Sequence, residues 1–196
     1  MEQLINLAKQ FILQPKQAWE SVKEDTSSAQ KHITSYVFPL SLIPALATFI
    51  GYGLIGYSVF GIRIHSTEWA ISQALISVIT TLLGVYISGF VIHKLAANFQ
   101  TEVSLDKAIK LVGYSYTAML VGGIFNIYAP LAILGLVAGI YSLYVLYIGF
   151  KPMTNVSEEK SMSYFIISIL VIIGVYIILG LILTPIIGLF GINSPF

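Results

Sequence analysis

The chain has 196 residues, of which 57% are hydrophobic and only 10% charged, and its formal net charge is +1. A soluble domain carries roughly 25% charged residues, so this composition excludes an ordinary soluble globule, and the balanced charge excludes a general attraction to nucleic acid. The chain contains no cysteine, which removes disulfides, thiolate nucleophiles and thiolate metal sites.

The first segment, EQLINLAKQFIL at 2–13, places Leu4, Leu7, Ala8, Phe11 and Ile12 at helical spacing and polar residues elsewhere. This predicts an amphipathic helix too short and too polar to span, lying in the headgroup plane or packing on the rest of the chain. Gln14-Pro15 interrupts it. A second helix is expected over 16–24, with Trp19 suited to the interface and Lys16–Glu20 as an i,i+4 pair. Residues 25–28 read as a loop. The first 31 residues carry four lysines and four acids with no apolar core, so the first true span is expected to serve as an uncleaved insertion signal.

Beyond this arm lie four stretches without Asp, Glu, Lys or Arg, 31 residues at 32–62, 25 at 69–93, 40 at 111–150 and 36 at 161–196. About 20 apolar residues cross a bilayer, at about 1.5 Å of rise per residue over about 30 Å of hydrocarbon. The first span is expected over 36–57, bent near Pro39 and Pro44 and loosened by Gly51, Gly53 and Gly56. A short polar connection follows at 61–69. The second span is expected over 70–92, where Gln73, Ser77, Thr81, Gly84 and Ser88 form a small and hydroxyl-bearing stripe suited to helix packing or a solute path.

After a polar loop at 93–110, Ser104 reads as the N-cap of a helix that continues as the third span over 109–127. The 40-residue stretch accommodates two spans and a turn at 126–130, so the fourth span is expected over 131–150. Gly135 and Gly139 make a GxxxG pair in it, and Lys151-Pro152 is expected to end it. The fifth span is expected over 162–184. Pro185 is expected to break or kink it and leave an interfacial end, with Gly180, Thr184 and Gly188 as a further small-residue stripe.

Five spans put Lys9, Lys16, Lys23, Lys31, Lys94, Lys107, Lys110, Lys151 and Lys160 on one side, with only Arg63 opposite. The positive-inside rule then places the N-terminus in the cytoplasm and the C-terminus outside. The fold expected is an all-α integral membrane protein. It is a five-span helical bundle over 32–196, preceded by a cytoplasmic amphipathic interfacial arm over 1–31.

Chemistry is harder to find. No ionisable residue falls in mid-span, which argues against a charged proton or ion relay. His32, His65 and His93 fall at span ends without metal-ligand spacing, and no Ser-His-Asp set or phosphate loop is present, so no catalytic residue, metal or cofactor is expected. Candidate groove or packing residues are Gln73, Ser77 and Thr81, with Tyr114, Tyr141, Tyr144 and Tyr147. A tyrosine stripe of this kind lines a groove or packs in the core. The candidate cytoplasmic interaction surface comprises Trp19, Glu102, Asp106, Lys107 and Lys110.

The segments FILQPKQAWESVKE at 11–24, YVFPLSLIPALATFIG at 36–51, SLDKAIKLVGYSYTAML at 104–120 and YSLYVLYIGFKPM at 141–153 resemble the bacterial branch of the Yip family, the Ypt/Rab-interacting membrane proteins. In many relatives a proline follows the GYS element. Here Thr117 and Ala118 stand in that place. The resemblance implies five spans, a cytoplasmic N-terminus, an outside C-terminus and a bacterial inner membrane location. Eukaryotic members are implicated in Golgi and ER traffic with prenylated Rab GTPases, partners that a bacterial-type chain lacks. The resemblance carries no catalytic residues. The function expected is therefore a non-enzymatic scaffold or adaptor in membrane organisation or trafficking-like processes, with membrane lipids, other membrane proteins or itself as partners. The alternative is a passive solute or lipid transporter or channel-like protein.

Overall fold

The computed structural model describes residues 2–59 and 62–189. Two short helices, α1 (Glu2–Leu13) and α2 (Pro15–Val22), precede the bundle, and Pro15 starts α2, where its missing N–H costs nothing. Five helical segments are long and apolar enough to cross a membrane: Ala29–Ile55, Thr67–Phe99, Leu105–Ile127, Ala129–Thr154 and Glu158–Ile178. They correspond to the five expected spans, with starts two to seven residues earlier; the first ends at Ile55, just short of the expected 57, and the fifth helix runs on to Leu189.

The first span opens with α3 (Ala29–His32), passes through a π-helical turn at Ile33–Val37, continues as α4 (Phe38–Phe49) and loosens into a second π turn at Ile50–Ile55. The first π turn sits just before Pro39. A wider turn there accommodates the proline ring and its absent N–H without ending the helix. The expected polar connection forms a small antiparallel ribbon, β1 (Tyr57–Val59) with β2 (Ile62–Ile64), in whose backbone register Ser58 pairs with Arg63.

The second span is α5 (Thr67–Leu95), capped by the Ser66 hydroxyl accepting from Trp69 N–H. The third opens at α6 (Leu105–Ser115), where Ser104 is the cap, as expected. It is interrupted at Tyr116 and resumes as α7 (Thr117–Gly122), so the helix breaks here although Thr117 and Ala118 replace proline. Hydroxyls take up the freed backbone groups. Thr117 Oγ1 donates to the Tyr114 carbonyl at 2.6 Å, and Met119 N–H donates to Ser142 Oγ at 2.9 Å. Such side-chain substitution is what permits a helix break at membrane depth.

After 3-10 turns at Gly123–Ile127 and Ala129–Leu131, the fourth span is α8 (Ala132–Thr154). It runs through Pro152 rather than stopping there, and ends at Asn155, whose φ of 52° is left-handed. The fifth is α9 (Glu158–Leu189), whose helical backbone continues past Pro185 instead of breaking. The expected interfacial end beyond Leu189 lies outside the described residues, and so do the side chains of the 180–188 stripe.

Exposed apolar side chains run in rows along α5 (Leu75, Ile79, Leu83), α8 (Leu136, Ile140, Leu143) and α9 (Leu170, Ile173, Ile177), each 48% or more exposed. A water-soluble protein does not tolerate patches of this extent, and in lipid they are the solvent-facing surface. The core is tightest at the lysine-rich end, where Val85, Ile92, Ile109, Leu111, Val112, Phe150 and Tyr164 are buried together. Gly135 and Gly139 do not form a tight contact. Only the Gly122 carbonyl comes near Gly135, and Gly139 faces open space.

Candidate functional site

Two features stand out, one at each end of the bundle. The first is a cavity of about 700 Å³ in the half that carries the β-ribbon. It lies between the ends of the first and third spans, the first half of α5, and Tyr176 of α9. Gln73, Ser77, Thr80 and Thr81 of α5 line one wall, and Ile76, Met119 and Ile127 add apolar surface. Across it Asn126 Nδ2 donates to Thr48 Oγ1 at 3.4 Å. Gly51 belongs to this rim because a Cβ there would stand 2.5 Å from the Asn126 carbonyl oxygen.

The side chains of Gln73, Ser77, Thr80 and Thr81 make no hydrogen bond among the described residues. Several other helical hydroxyls turn back on their own backbone: Ser72 to the Glu68 carbonyl, Ser115 to Leu111 and Thr154 to Phe150, at 2.7–2.9 Å, while the buried Ser88 and Ser168 hydroxyls, like those of the cavity, have no partner among the described residues. A polar side chain left unpaired at membrane depth costs free energy unless something in the cavity pairs with it. Among the described residues, no Asp, Glu, Lys, Arg or His lines the space.

The cavity has a floor. Tyr176 Oη lies over Gly84, one turn beyond Thr81, and is 3.5 Å from Tyr116 Oη. Beyond it Val85, Ser88, Gly89 and Ile92 are buried against the rest of the bundle, and Tyr164 Oη donates to the Ile92 carbonyl. Among the described residues, this packing closes the cavity at its inner end.

The second feature is the lysine-rich end, where the N-terminal arm is docked. Trp19 is 1% exposed and donates from Nε1 to the Val145 carbonyl of α8 at 3.0 Å. Phe11 stacks on Tyr114 with centroids 4.9 Å apart, and Trp19 meets both rings edge-on. Tyr141 Oη donates to the Ile12 carbonyl at 2.7 Å. His32 packs against Tyr36 and Tyr114, and its Nε2 has no hydrogen-bond partner. Lys110, 1% exposed, donates to the Asp25 carbonyl and stands 3.7 Å from its carboxylate. Asp106 Oδ1 accepts from Ala29 N–H at 2.7 Å, so two residues of α6 hold the 25–29 loop.

The sequence candidates divide accordingly. Gln73, Ser77 and Thr81 come together at the cavity. Tyr144 and Tyr147 face outward, while Tyr141 ties down the arm and Tyr114 centres the aromatic cluster, so the tyrosines form no groove. Trp19 and Lys110 are interior, which removes them from an exposed interaction surface, because each has a backbone carbonyl to satisfy inside. Glu102 and Asp106 remain exposed, and Lys107 is half-buried. The expected Lys16–Glu20 pair is replaced by Lys23–Glu20 at 2.6 Å. Tyr176 and Thr80 were not singled out from sequence. His93 Nδ1 bonds the Val103 carbonyl at 2.7 Å, and no cluster of three metal-binding side chains occurs among the described residues.

Partial burial works to raise the Asp25 carboxyl, but hydrogen bonds from Ser27 N–H and Oγ–H and the nearby Lys110 ammonium outweigh it and hold the group below the usual carboxylate range. A group depressed in the folded state lends stability above its unfolded pKa, near 4, and loses it as pH falls through the folded value. Hydrogen exchange of the 22–30 backbone, corrected for intrinsic rates, is expected to accelerate below about pH 4 in the wild type. In Asp25→Asn it is expected to be faster at neutral pH and flat with acidification. The effect is modest, since Asp25 is 30% exposed. A wild-type profile as flat as that of the variant would refute the Asp25–Lys110 clasp.

A family model described as the Yip1 domain matches residues 9–189. The inner membrane protein YohC of Escherichia coli strain K12 is 28% identical over 156 residues, covering 76% of this chain and 80% of the relative. YohC of E. coli O6:H1 matches to the same extent. No solved structure matches.

Proposed function

The chain belongs to the Yip1 domain family of membrane proteins, and from that premise we propose that it is a non-enzymatic, membrane-organising protein of the bacterial inner membrane that works by holding a lipid-borne polar group in its ribbon-end cavity. The inner membrane assignment follows the relatives' description and the five membrane-length helices. One observation carries the reading. Four polar side chains line a 700 Å³ space at membrane depth with no partner among the described residues. Small-molecule sites fall in the range of about 300–1,000 Å³ and combine apolar walls with a few converging polar groups. Nine lysines at the opposite end support a cytoplasmic N-terminus, which puts the cavity in the outer half of the bilayer. The docked arm, with Lys9 and Lys16 exposed on its outer surface, then lies along the cytoplasmic headgroups as an adaptor surface.

The closed floor favours holding over conduction. Native mass spectrometry of the protein, purified without added lipid, is expected to find about one retained lipid per chain. The double variant Gln73→Leu/Thr81→Val, which replaces two hydrogen-bonding side chains at nearly constant volume, is expected to retain at least about tenfold less. Equal retention by the two proteins would sink the reading.

A further inference from the structure

We propose that the ribbon-end cavity binds an uncharged, multiply hydroxylated group, the chemistry shared by the headgroup region of a neutral glycerolipid and by a free polyol. The proposal rests on the reading that the cavity holds a ligand at all, and adds which chemistry it selects.

The hydrogen-bonding inventory sets the choice. Gln73 presents both a donor and an acceptor, and the hydroxyls of Ser77, Thr80 and Thr81 each do both. A wall of this kind is complemented by a ligand whose own groups donate and accept, which describes hydroxyls. A carboxylate or phosphate only accepts, and an ammonium only donates, so either leaves half of the wall unpaired. Net charge is disfavoured for a second reason. Among the described residues the lining holds no ionisable side chain except the phenols of Tyr52, Tyr116 and Tyr176, which supply no counter-charge to an ion. Apolar surface from Ile76, Met119 and Ile127 suits the carbon skeleton between the hydroxyls. The Tyr116–Tyr176 floor adds two further phenol hydroxyls at the deep end.

Thermal unfolding of the full chain, in a detergent without hydroxylated headgroups, tests this with three probes: monooctanoylglycerol, which carries two free hydroxyls, glycerol, and octanoyl lysophosphatidic acid as the anionic counterpart. The quantity read is the midpoint shift of the wild type minus that of Gln73→Leu/Thr81→Val, which cancels general solvent effects. Monooctanoylglycerol is expected to give a positive difference that saturates, at a concentration at least tenfold below any seen with lysophosphatidic acid. A saturating difference with glycerol at the same concentrations assigns the site to free polyols, and its absence assigns it to lipid. If the double variant is unfolded without ligand, Thr80→Val takes its place with a smaller loss expected. No difference with either neutral probe overturns the proposal, and so does lysophosphatidic acid binding as tightly as monooctanoylglycerol. The two readings fail separately. Gln73-dependent retention of an anionic lipid leaves the lipid-holding function standing and removes the charge selection.

Discussion

Gly149→Ala is expected to release the N-terminal arm from the bundle. A Cβ at that position would stand 2.1 Å from Cε2 and 2.4 Å from Cζ2 of Trp19, far inside van der Waals contact. The indole has nowhere to go. Its Nε1–H is anchored to the Val145 carbonyl one turn earlier on the same helix, and Phe11 and Tyr114 pack against the ring. Overpacking of this kind costs about 1–3 kcal/mol. Trp19→Ala removes the ring instead of displacing it, and losses for a buried aromatic run to about 3–5 kcal/mol. The arm lies at the lysine-rich end, outside the hydrocarbon on the charge argument, so water competes for its apolar face and the hydrophobic effect operates there. Tryptic cleavage after Lys9, Lys16 and Lys23 reports undocking, and each 1.4 kcal/mol corresponds to about tenfold in the exposed population. Both variants are expected to be cut at least about tenfold faster than wild type. Their combination is expected to fall well short of additive, because both changes act on one contact. Unchanged cleavage in Gly149→Ala would show that the arm is not docked in this way.

Much of this molecule was legible from its charges. The five spans, the Ser104 cap and the turn before Pro130 follow from charge-free lengths and local capping chemistry, which depend on neighbours in sequence. The polar stripe of α5 was legible for the same reason, since Gln73, Ser77 and Thr81 stand out in an apolar helix. Which face of a span meets protein was not legible. In lipid both faces of a helix are apolar, so periodicity loses its contrast between inside and outside. The fourth span shows the consequence. Tyr144 and Tyr147 face lipid, while Ser142, Val145, Leu146 and Gly149 form the buried face. Trp19 and Lys110 were misplaced for a related reason. Amphipathic side chains near a membrane surface are expected to reach outward, yet each of these finds a backbone carbonyl more than 80 residues away in sequence. Pairings at that separation leave no local pattern to read.

Two glycines of α5, five residues apart, separate the fold from the site. At Gly89 a Cβ would meet Ile109 of α6 at Cγ1 (2.7 Å), Cα (2.8 Å) and N (2.9 Å). Ile109 is fully buried, and two of the three atoms are backbone, so α5 and α6 have to move apart as units. Close approach through small residues is the main source of helix association where hydrocarbon cannot drive it. Gly89→Ala is therefore expected to cost about 1–3 kcal/mol and to lower the unfolding midpoint by roughly 2–10 °C for a chain of this size. At Gly84 the obstacle is different. The Cβ would stand 1.9 Å from Tyr176 Oη and 3.2 Å from its Cζ, which is the tip of one side chain, and that tip can swing aside. Gly84→Ala is expected to leave the midpoint within about 2 °C while breaking the Tyr116–Tyr176 contact and disturbing the cavity floor. Lipid retention by native mass spectrometry is then expected to drop severalfold in Gly84→Ala despite its intact fold. Gly89→Ala, assayed below its own midpoint, is expected to keep its lipid, because its damage lies below the floor. The reverse pattern, with Gly84→Ala unfolding and retention lost at Gly89, would place the ligand in the inner half of the bundle and remove the cavity from its role.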